Sequence, residues 1–292
     1  MPELPEVETI VRGLNQKVRN RTFLDVWTDS PKTVRKPSFE IFKKELKGKK
    51  IQNVWRRAKN ILFDLSGGKI LLVHQKMTGH LLYGKWEFKD KKWIAKNKGP
   101  LKDDPMNRFL HLVFTLDNGF QLALSDLRKF AKIELWNDED FRKSEYLKNL
   151  GLEPLDKSFT FKKFKEVFTN KKGKIKIVLL DQSVIAGIGN IYADEILWET
   201  KIHPLRNVSQ LSESDFKNIY RAIRKILQKA VKLRGSSLSD FRDLAGEKGT
   251  FGKIIKAYRR EGLPCFRCKT KLKRIKINAR SSCFCPQCQI LA

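Results

Sequence analysis

ILFDLSGGKILLV, residues 61–73, reads as two short apolar strands joined through Ser66-Gly67-Gly68. Glycines between two such runs signal a hairpin, because glycine enters left-handed backbone without strain. The pattern extends outward on both sides. Thr22 to Trp27 and Lys49 to Trp55 precede it; Phe109 to Leu116 and Phe120 to Leu124 follow, the last two joined through Asp117-Asn118-Gly119. Short runs with turn signals between them predict an antiparallel β-sandwich. Lys85 to Pro105 is lysine-rich and is expected to form an irregular exposed loop.

Ahead of these strands, Val7, Ile10, Val11, Leu14 and Val18 share one helical face. Pro5 suits the first turn of that helix, and Glu6 and Glu8 complement its dipole. From about Asn137 the periodicity becomes helical. Phe216, Ile219, Ile223, Ile226, Leu227 and Ala230 mark one long amphipathic helix, with Ser212 and Asp215 as its capping box and Gly235 beyond its end. The fold class is therefore α+β, with a β-sandwich that begins on a helix, followed by helices and a cysteine-bearing hairpin.

Charge narrows the partner. The chain of 292 residues carries 61 Lys and Arg against 32 Asp and Glu, a net +29. A field of that sign and size suits a polyanion, and nucleic acid is the commonest one. No apolar run approaches the length of a membrane span, and MPELPEVETI lacks the pattern of a signal peptide. A soluble, cytoplasmic monomer without membrane contact is expected.

All five cysteines lie between Cys265 and Cys288. Cys265 and Cys268 form one C-x2-C pair, Cys285 and Cys288 a second. Four thiolates on two knuckles close a tetrahedral site for one structural Zn²⁺ with no open position. Cys283 stands outside this spacing as a packing residue or spare thiol. Lys269, Lys271, Lys273, Arg274, Lys276 and Arg280 between the knuckles make a basic hairpin suited to phosphate.

Pro2 follows the initiator methionine, whose removal leaves a secondary amine. An α-amine titrates near ~8, so part of it is neutral at physiological pH. A neutral amine can attack C1′ of a nucleotide, expel the base and leave an iminium that favours strand elimination. Glu3 is placed to pass protons. The same residues also fit a plain helix start.

PELPEVETIVRGL at 2–14 resembles the opening of bacterial formamidopyrimidine-DNA glycosylases. The likeness continues through RRAKN at 56–60, HQKMTG at 74–79, GLEPLD at 151–156, GIGNIYADEIL at 187–197 and ARSSCFCPQCQ at 279–289. The resemblance implies an N-terminal catalytic β-sandwich domain at 2–136 and an interdomain linker at 137–158. A helix–two-turn–helix domain at 159–262 and a zinc finger at 263–292 would complete the chain, with DNA in a basic cleft. It implies a bifunctional glycosylase and abasic-site lyase of base excision repair, acting on 8-oxoguanine and formamidopyrimidines in damaged duplex DNA through a Pro2 iminium.

By the same resemblance Pro2, Glu3 and Lys59 are catalytic, with Lys59 contacting the sugar or phosphate of the damaged nucleotide, and Glu6 helps hold the site. His74, Asn190 and Arg280 contact phosphate, and Met77, Arg128 and Phe130 fill the gap left by the extruded base. Where the family has Asp-Pro-Arg-Arg-Phe-Gly, this chain has Asp126-Leu127-Arg128-Lys129-Phe130-Ala131, which puts the shape of that loop in question. Leu244 to Phe251 matches the segment that covers an extruded purine, and Gly246 and Gly249 suit a loop that closes. Two other readings stand beside this one: an endonuclease VIII-type glycosylase for oxidised pyrimidines, and a non-catalytic zinc-ribbon protein that binds damaged DNA.

Overall fold

The computed structural model describes residues 1–291 and divides into two compact units. The first comprises Met1–Lys148 and Leu233–Gly252; the second comprises Asn149–Lys232 and the chain from Lys253 onward.

The first unit is a β-sandwich. Its strands are β1 (Phe23–Thr28), β2 (Val34–Lys36), β3 (Ile51–Arg57), β4 (Asn60–Leu65), β5 (Lys69–His74), β6 (His80–Gly84), β7 (Trp86–Lys89), β8 (Lys92–Ala95), β9 (Leu110–Leu116), β10 (Gln121–Ser125) and β11 (Lys132–Asn137). One sheet runs β1-β9-β10-β6 and the other β2-β11-β5-β4-β3. The opening hairpin forms as expected, with Phe63 opposite Leu71 and positive φ at Gly67 and Gly68. Gly119, also at positive φ, turns β9 into β10.

Alternation along the strands divides the side chains between two layers. Val26, Phe114 and Leu124 from one sheet share a core with Ile61, Phe63, Val73 and Ile133 from the other. Val7, Ile10, Val11 and Leu14 of the helix Leu4–Lys17 belong to the same core. That burial fixes the helix, and with it the chain start, on the sandwich.

Leu82, Val113 and Ala123 face the other way and pack with Trp86, Ala95 and Leu110. Lys85 to Pro105 supplies part of this second layer, which corrects the expectation of an irregular loop. It contains the β7–β8 hairpin and a helical turn at Pro100–Asp103. Asp90 and Lys91 occupy the hairpin turn at φ 50° and 59°. Left-handed geometry at both central residues is the type I′ pattern, normally marked by Asn-Gly or Asp-Gly. With Lys91 in the glycine place, that sign is missing.

The second unit is helical: Phe161–Thr169, Ile175–Leu180, Asn190–Glu199 and Glu213–Lys232. The predicted cap of the last forms, with Ser212 N–H donating to Asp215 at 2.9 Å and Asp215 N–H to Ser212 Oγ at 3.1 Å. Phe164, Phe168, Phe216 and Tyr220 interlock between the first and last of these helices. The hairpin of β12 (Lys273–Ile277) and β13 (Arg280–Phe284) follows. No described helix is long and apolar enough to cross a membrane.

Candidate active site and nucleic-acid contacts

Glu3 is extended and caps the helix Leu4–Lys17, with Pro5 in the first turn. Glu6 closes the capping box: its Oε2 accepts from Glu3 N–H at 2.8 Å. Its Oε1 accepts from Ser236 N–H at 2.7 Å. Gly235, at φ +75°, allows that approach, since a Cβ there would sit 2.7 Å from Glu6 Oε1. Glu6 thus bonds the chain start to a segment 230 residues away.

Pro2, Glu3 and Glu6 are buried, whereas Met1 is 38% exposed. Burial lowers the pKa of the Met1 amine; the negative charges of Glu3, Glu6 and Asp240 oppose that shift, and Lys59 reinforces it. The amine therefore lies among three carboxylates and one ammonium. Asp240 is a member of this group that no sequence motif marked.

Lys59 is buried at 8% exposure in the β3–β4 turn. Ala58 takes φ +55° there. Glu8 on the N-terminal helix pairs with Arg56 at 3.0 Å, and Arg56 donates to Ala58 O at 2.9 Å. Asn60 donates to Arg57 O at 2.9 Å and accepts from Tyr146 OH at 2.7 Å. The turn bearing Lys59 is braced on both flanks, and an ion pair ties it to the helix that carries Glu3.

His74 ends β5. Burial, then the charges of Lys76, Lys59 and Lys132, lower its pKa to about 3. Its Nδ1 accepts from Lys76 N–H at 3.0 Å, which leaves the proton of the neutral ring on Nε2. A neutral donor results, held in one tautomer near Lys59.

Met77, Arg128 and Phe130 are all exposed, the two hydrophobic side chains by 39% and 46%. The Arg128 guanidinium stacks 4.4 Å over the Phe130 ring. Asp126 braces the loop: its Oδ2 accepts from Ala131 N–H at 2.7 Å, and its Oδ1 accepts from the Thr78 hydroxyl. Thr78 Oγ1 in turn accepts from Arg128 N–H at 3.1 Å. One buried carboxylate therefore joins the Met77 turn to the Arg128–Phe130 loop. Lys129 takes φ +54° and Ala131 is fully buried, so the departures from the family pattern are accommodated.

Leu244 to Phe251 is closely tied to the sandwich. Tyr83 N–H donates to Leu244 O at 2.8 Å, and Asn107 Nδ2 donates to Gly246 O at 3.1 Å. A Cβ at Gly249 would lie 2.2 Å from Arg234 O. The two glycines of this segment serve a turn and a close backbone approach.

In the second unit, Gly189 is the N-cap of the helix Asn190–Glu199, and Asn190 is its first residue. Asn190 Nδ2 donates to Ser281 O at 2.9 Å, on the cysteine hairpin. Asp194, one turn on, accepts from Lys176 Nζ at 2.6 Å, from the Ser282 hydroxyl, and from Cys283 N–H at 3.2 Å. Lys176 and Asp194 have side-chain exposures of 0% and 1%. Glu195 accepts from the N–H groups of Lys256, Ala257 and Tyr258 at 2.8–3.0 Å. Asp194 fastens the hairpin to the helix and Glu195 holds the segment ahead of it, so exposed Arg280 is carried on the same frame as Asn190.

The sulfur atoms of Cys265, Cys268, Cys285 and Cys288 all lie within 4.8 Å of one another. Zn–S bonds of about 2.3 Å put tetrahedral sulfurs about 3.8 Å apart, so the set fits a closed zinc site. Cys283 is outside that set, with its backbone bonded to Asp194. The zinc is structural, and Trp198, Ala257 and Leu272 pack against its ligands.

Residues 1–133 match the family model described as the formamidopyrimidine-DNA glycosylase N-terminal domain, and residues 150–242 match that family's H2TH domain. Residues 262–290 match the zinc finger found in FPG and IleRS. The formamidopyrimidine-DNA glycosylase of Pelotomaculum thermopropionicum is 39% identical over 99% of both chains. The chain belongs to the formamidopyrimidine-DNA glycosylase family. That of Herpetosiphon aurantiacus is 40% identical over 99% of this chain and 100% of its own. The structure of the Lactococcus lactis Fpg in complex with DNA containing an abasic site is 35% identical, covers 99% of each chain and superposes with a TM-score of 0.85. Membership in the formamidopyrimidine-DNA glycosylase family makes this chain a DNA-binding glycosylase of base excision repair. The α+β fold and the four-cysteine zinc site expected from the sequence are both present.

Proposed function

We propose that the Pro2 amine, once Met1 is removed, is the nucleophile of this glycosylase, with Glu3 as its proton-transfer partner. The observation that carries the reading is the placement of the chain start. Pro2 and Glu3 are buried, Glu6 bonds Glu3 N–H through one oxygen and Ser236 N–H through the other, and the charge of Lys59 acts on the chain start. Pro2 is buried, and burial disfavours the charged form of an amine, which raises its neutral, nucleophilic fraction at physiological pH.

The amine nitrogen bonds to C1′ as the N-glycosidic bond breaks, and the departing base takes a proton relayed by Glu3. The nitrogen then loses its proton and the C1′–O4′ bond breaks, with O4′ taking up a proton, and the ring-opened iminium that results makes the C2′ proton acidic. Its removal breaks the C3′–O bond and nicks the strand. Lys59 is suited to the sugar or phosphate beside C1′, and neutral His74 to donating Nε2–H to a phosphate. Asn190 and Arg280 are assigned to phosphates as well. Met77, Phe130 and Arg128 fill the vacated stack, with Arg128 free to hydrogen-bond the partner base.

Oxidised purines are the substrates we infer, ahead of oxidised pyrimidines. A Lactococcus lactis Fpg structure at 34% identity holds Fapy-dG DNA, and its chain matches this one over 99% of the length. The monomer is the acting species in this reading. The test is excision from duplexes carrying 8-oxoguanine, formamidopyrimidine-guanine or thymine glycol, with sedimentation of the active protein. Faster excision of the two purine lesions by a monomer supports the reading, and preference for thymine glycol overturns it.

A further inference from the structure

A cavity of about 540 Å³ opens on the outer layer of the first unit, beneath the β7–β8 hairpin. That volume is in the range of about 300–1,000 Å³ typical of ligand sites. Trp27, Trp86 and Trp93 contribute aromatic wall, and Lys92, Lys102 and Arg108 contribute exposed cations. Among the described residues Asp29 is its only lining carboxylate, and it pairs with His111 at 3.0 Å.

A further contact links the cavity to the loop that carries Arg128 and Phe130. Asp29 also pairs with Lys129 at 3.4 Å, and Lys129 stands between Arg128 and Phe130. The cavity wall is thereby joined to the loop assigned to the DNA stack. Aromatic wall beside clustered cations is the combination that binds single-stranded nucleic acid, by stacking of bases and neutralisation of phosphates.

We propose that this cavity is a second nucleic-acid site, in which one unpaired base of a single-stranded DNA stretch packs against the Trp27–Trp93 wall while Lys92, Lys102 and Arg108 hold its flanking phosphates. Exposed Phe88, in contact with both tryptophans, extends the platform toward the next base. The proposal takes DNA as the partner of the chain, and duplex excision checks that premise separately.

The test uses full-length zinc-loaded protein saturated with a blunt duplex containing a tetrahydrofuran abasic analogue. Fluorescent dT12 is then titrated in and followed by anisotropy. The wild-type complex binds dT12. Trp93→Ala weakens that binding about tenfold or more, while excision from an 8-oxoguanine duplex stays within about twofold of wild type. The surface variant Lys92→Ala/Lys102→Ala guards against a misfolded hairpin. It lowers the magnitude of the log–log salt slope for dT12 by about 0.7 for each phosphate it no longer neutralises. Loss of dT12 binding on saturation with duplex, or unchanged dT12 affinity and slope in both variants, overturns the second site. Thymidine monophosphate that binds as tightly as dT12 overturns the strand as its occupant.

Discussion

Glu6→Gln tests how the chain start is held. The carboxylate receives two backbone N–H groups, Glu3 at 2.8 Å and Ser236 at 2.7 Å. Glutamine has nearly the same shape but only one acceptor oxygen. Whichever way its amide turns, an NH2 group faces a buried N–H. One charge-assisted bond disappears and its donor is left unpaired, a cost of about 2–3 kcal/mol. For a unit of this size that lowers the melting temperature by about 4–12 °C. The loosened chain start carries Pro2 and Glu3, so the excision rate falls by about tenfold or more, as small misplacements of reacting groups do. Duplex affinity changes little, because His74 and the Asp126-braced loop are untouched. Calorimetry, single-turnover excision of 8-oxoguanine and a duplex titration on one preparation check all three. A melting temperature within 2 °C of wild type (about 1 kcal/mol or less) together with normal excision would refute the positioning role of Glu6.

Cys288→Ala loses zinc and duplex binding, whereas Cys283→Ser keeps both; metal content by mass spectrometry reads the difference. Asp194→Ala leaves Lys176 buried without its carboxylate and costs about 3–5 kcal/mol, seen as destabilisation of the second unit while zinc stays bound below the transition. His74, with its folded pKa lowered to about 3, stays neutral between pH 5 and 8. Its contribution to stability is full above about pH 6.5, where the unfolded ring is also neutral. It is lost as pH falls from there toward about 3, because the unfolded chain takes up the proton first. His74→Gln therefore loses less stability than wild type between pH 7 and pH 4 in denaturant titrations.

Local chemistry was legible in the sequence wherever one residue type did one job nearby. Gly67-Gly68 and Gly119 declared their turns, Ser212 and Asp215 their cap, and the C-x2-C pairs their metal. What escaped notice depended on partners far along the chain or on an atypical residue. Ser236 meets Glu6 across 230 positions, so nothing beside either residue announces the bond. Asp240 joins the charges around the chain start in the same way. Asp194 looks like an ordinary helical acid until Lys176 and Ser282 fold onto it. The β7–β8 hairpin was hidden by its lysines, since Lys91 takes left-handed backbone usually marked by glycine. Trp86, buried, and Trp93, partly buried, are the aromatic residues of that stretch that pack as a second layer against the sheet.

The central claim is that the reaction runs through the N-terminal amine of Pro2. Borohydride reduction of the protein on 8-oxoguanine duplex, followed by proteolysis and mass spectrometry, locates the covalent bond directly. The account predicts that the DNA remnant sits on a peptide beginning at Pro2, attached through its nitrogen. It also predicts no adduct when Met1 is retained, although duplex binding persists. An adduct on Lys59, or one that forms as readily with Met1 in place, would contradict it.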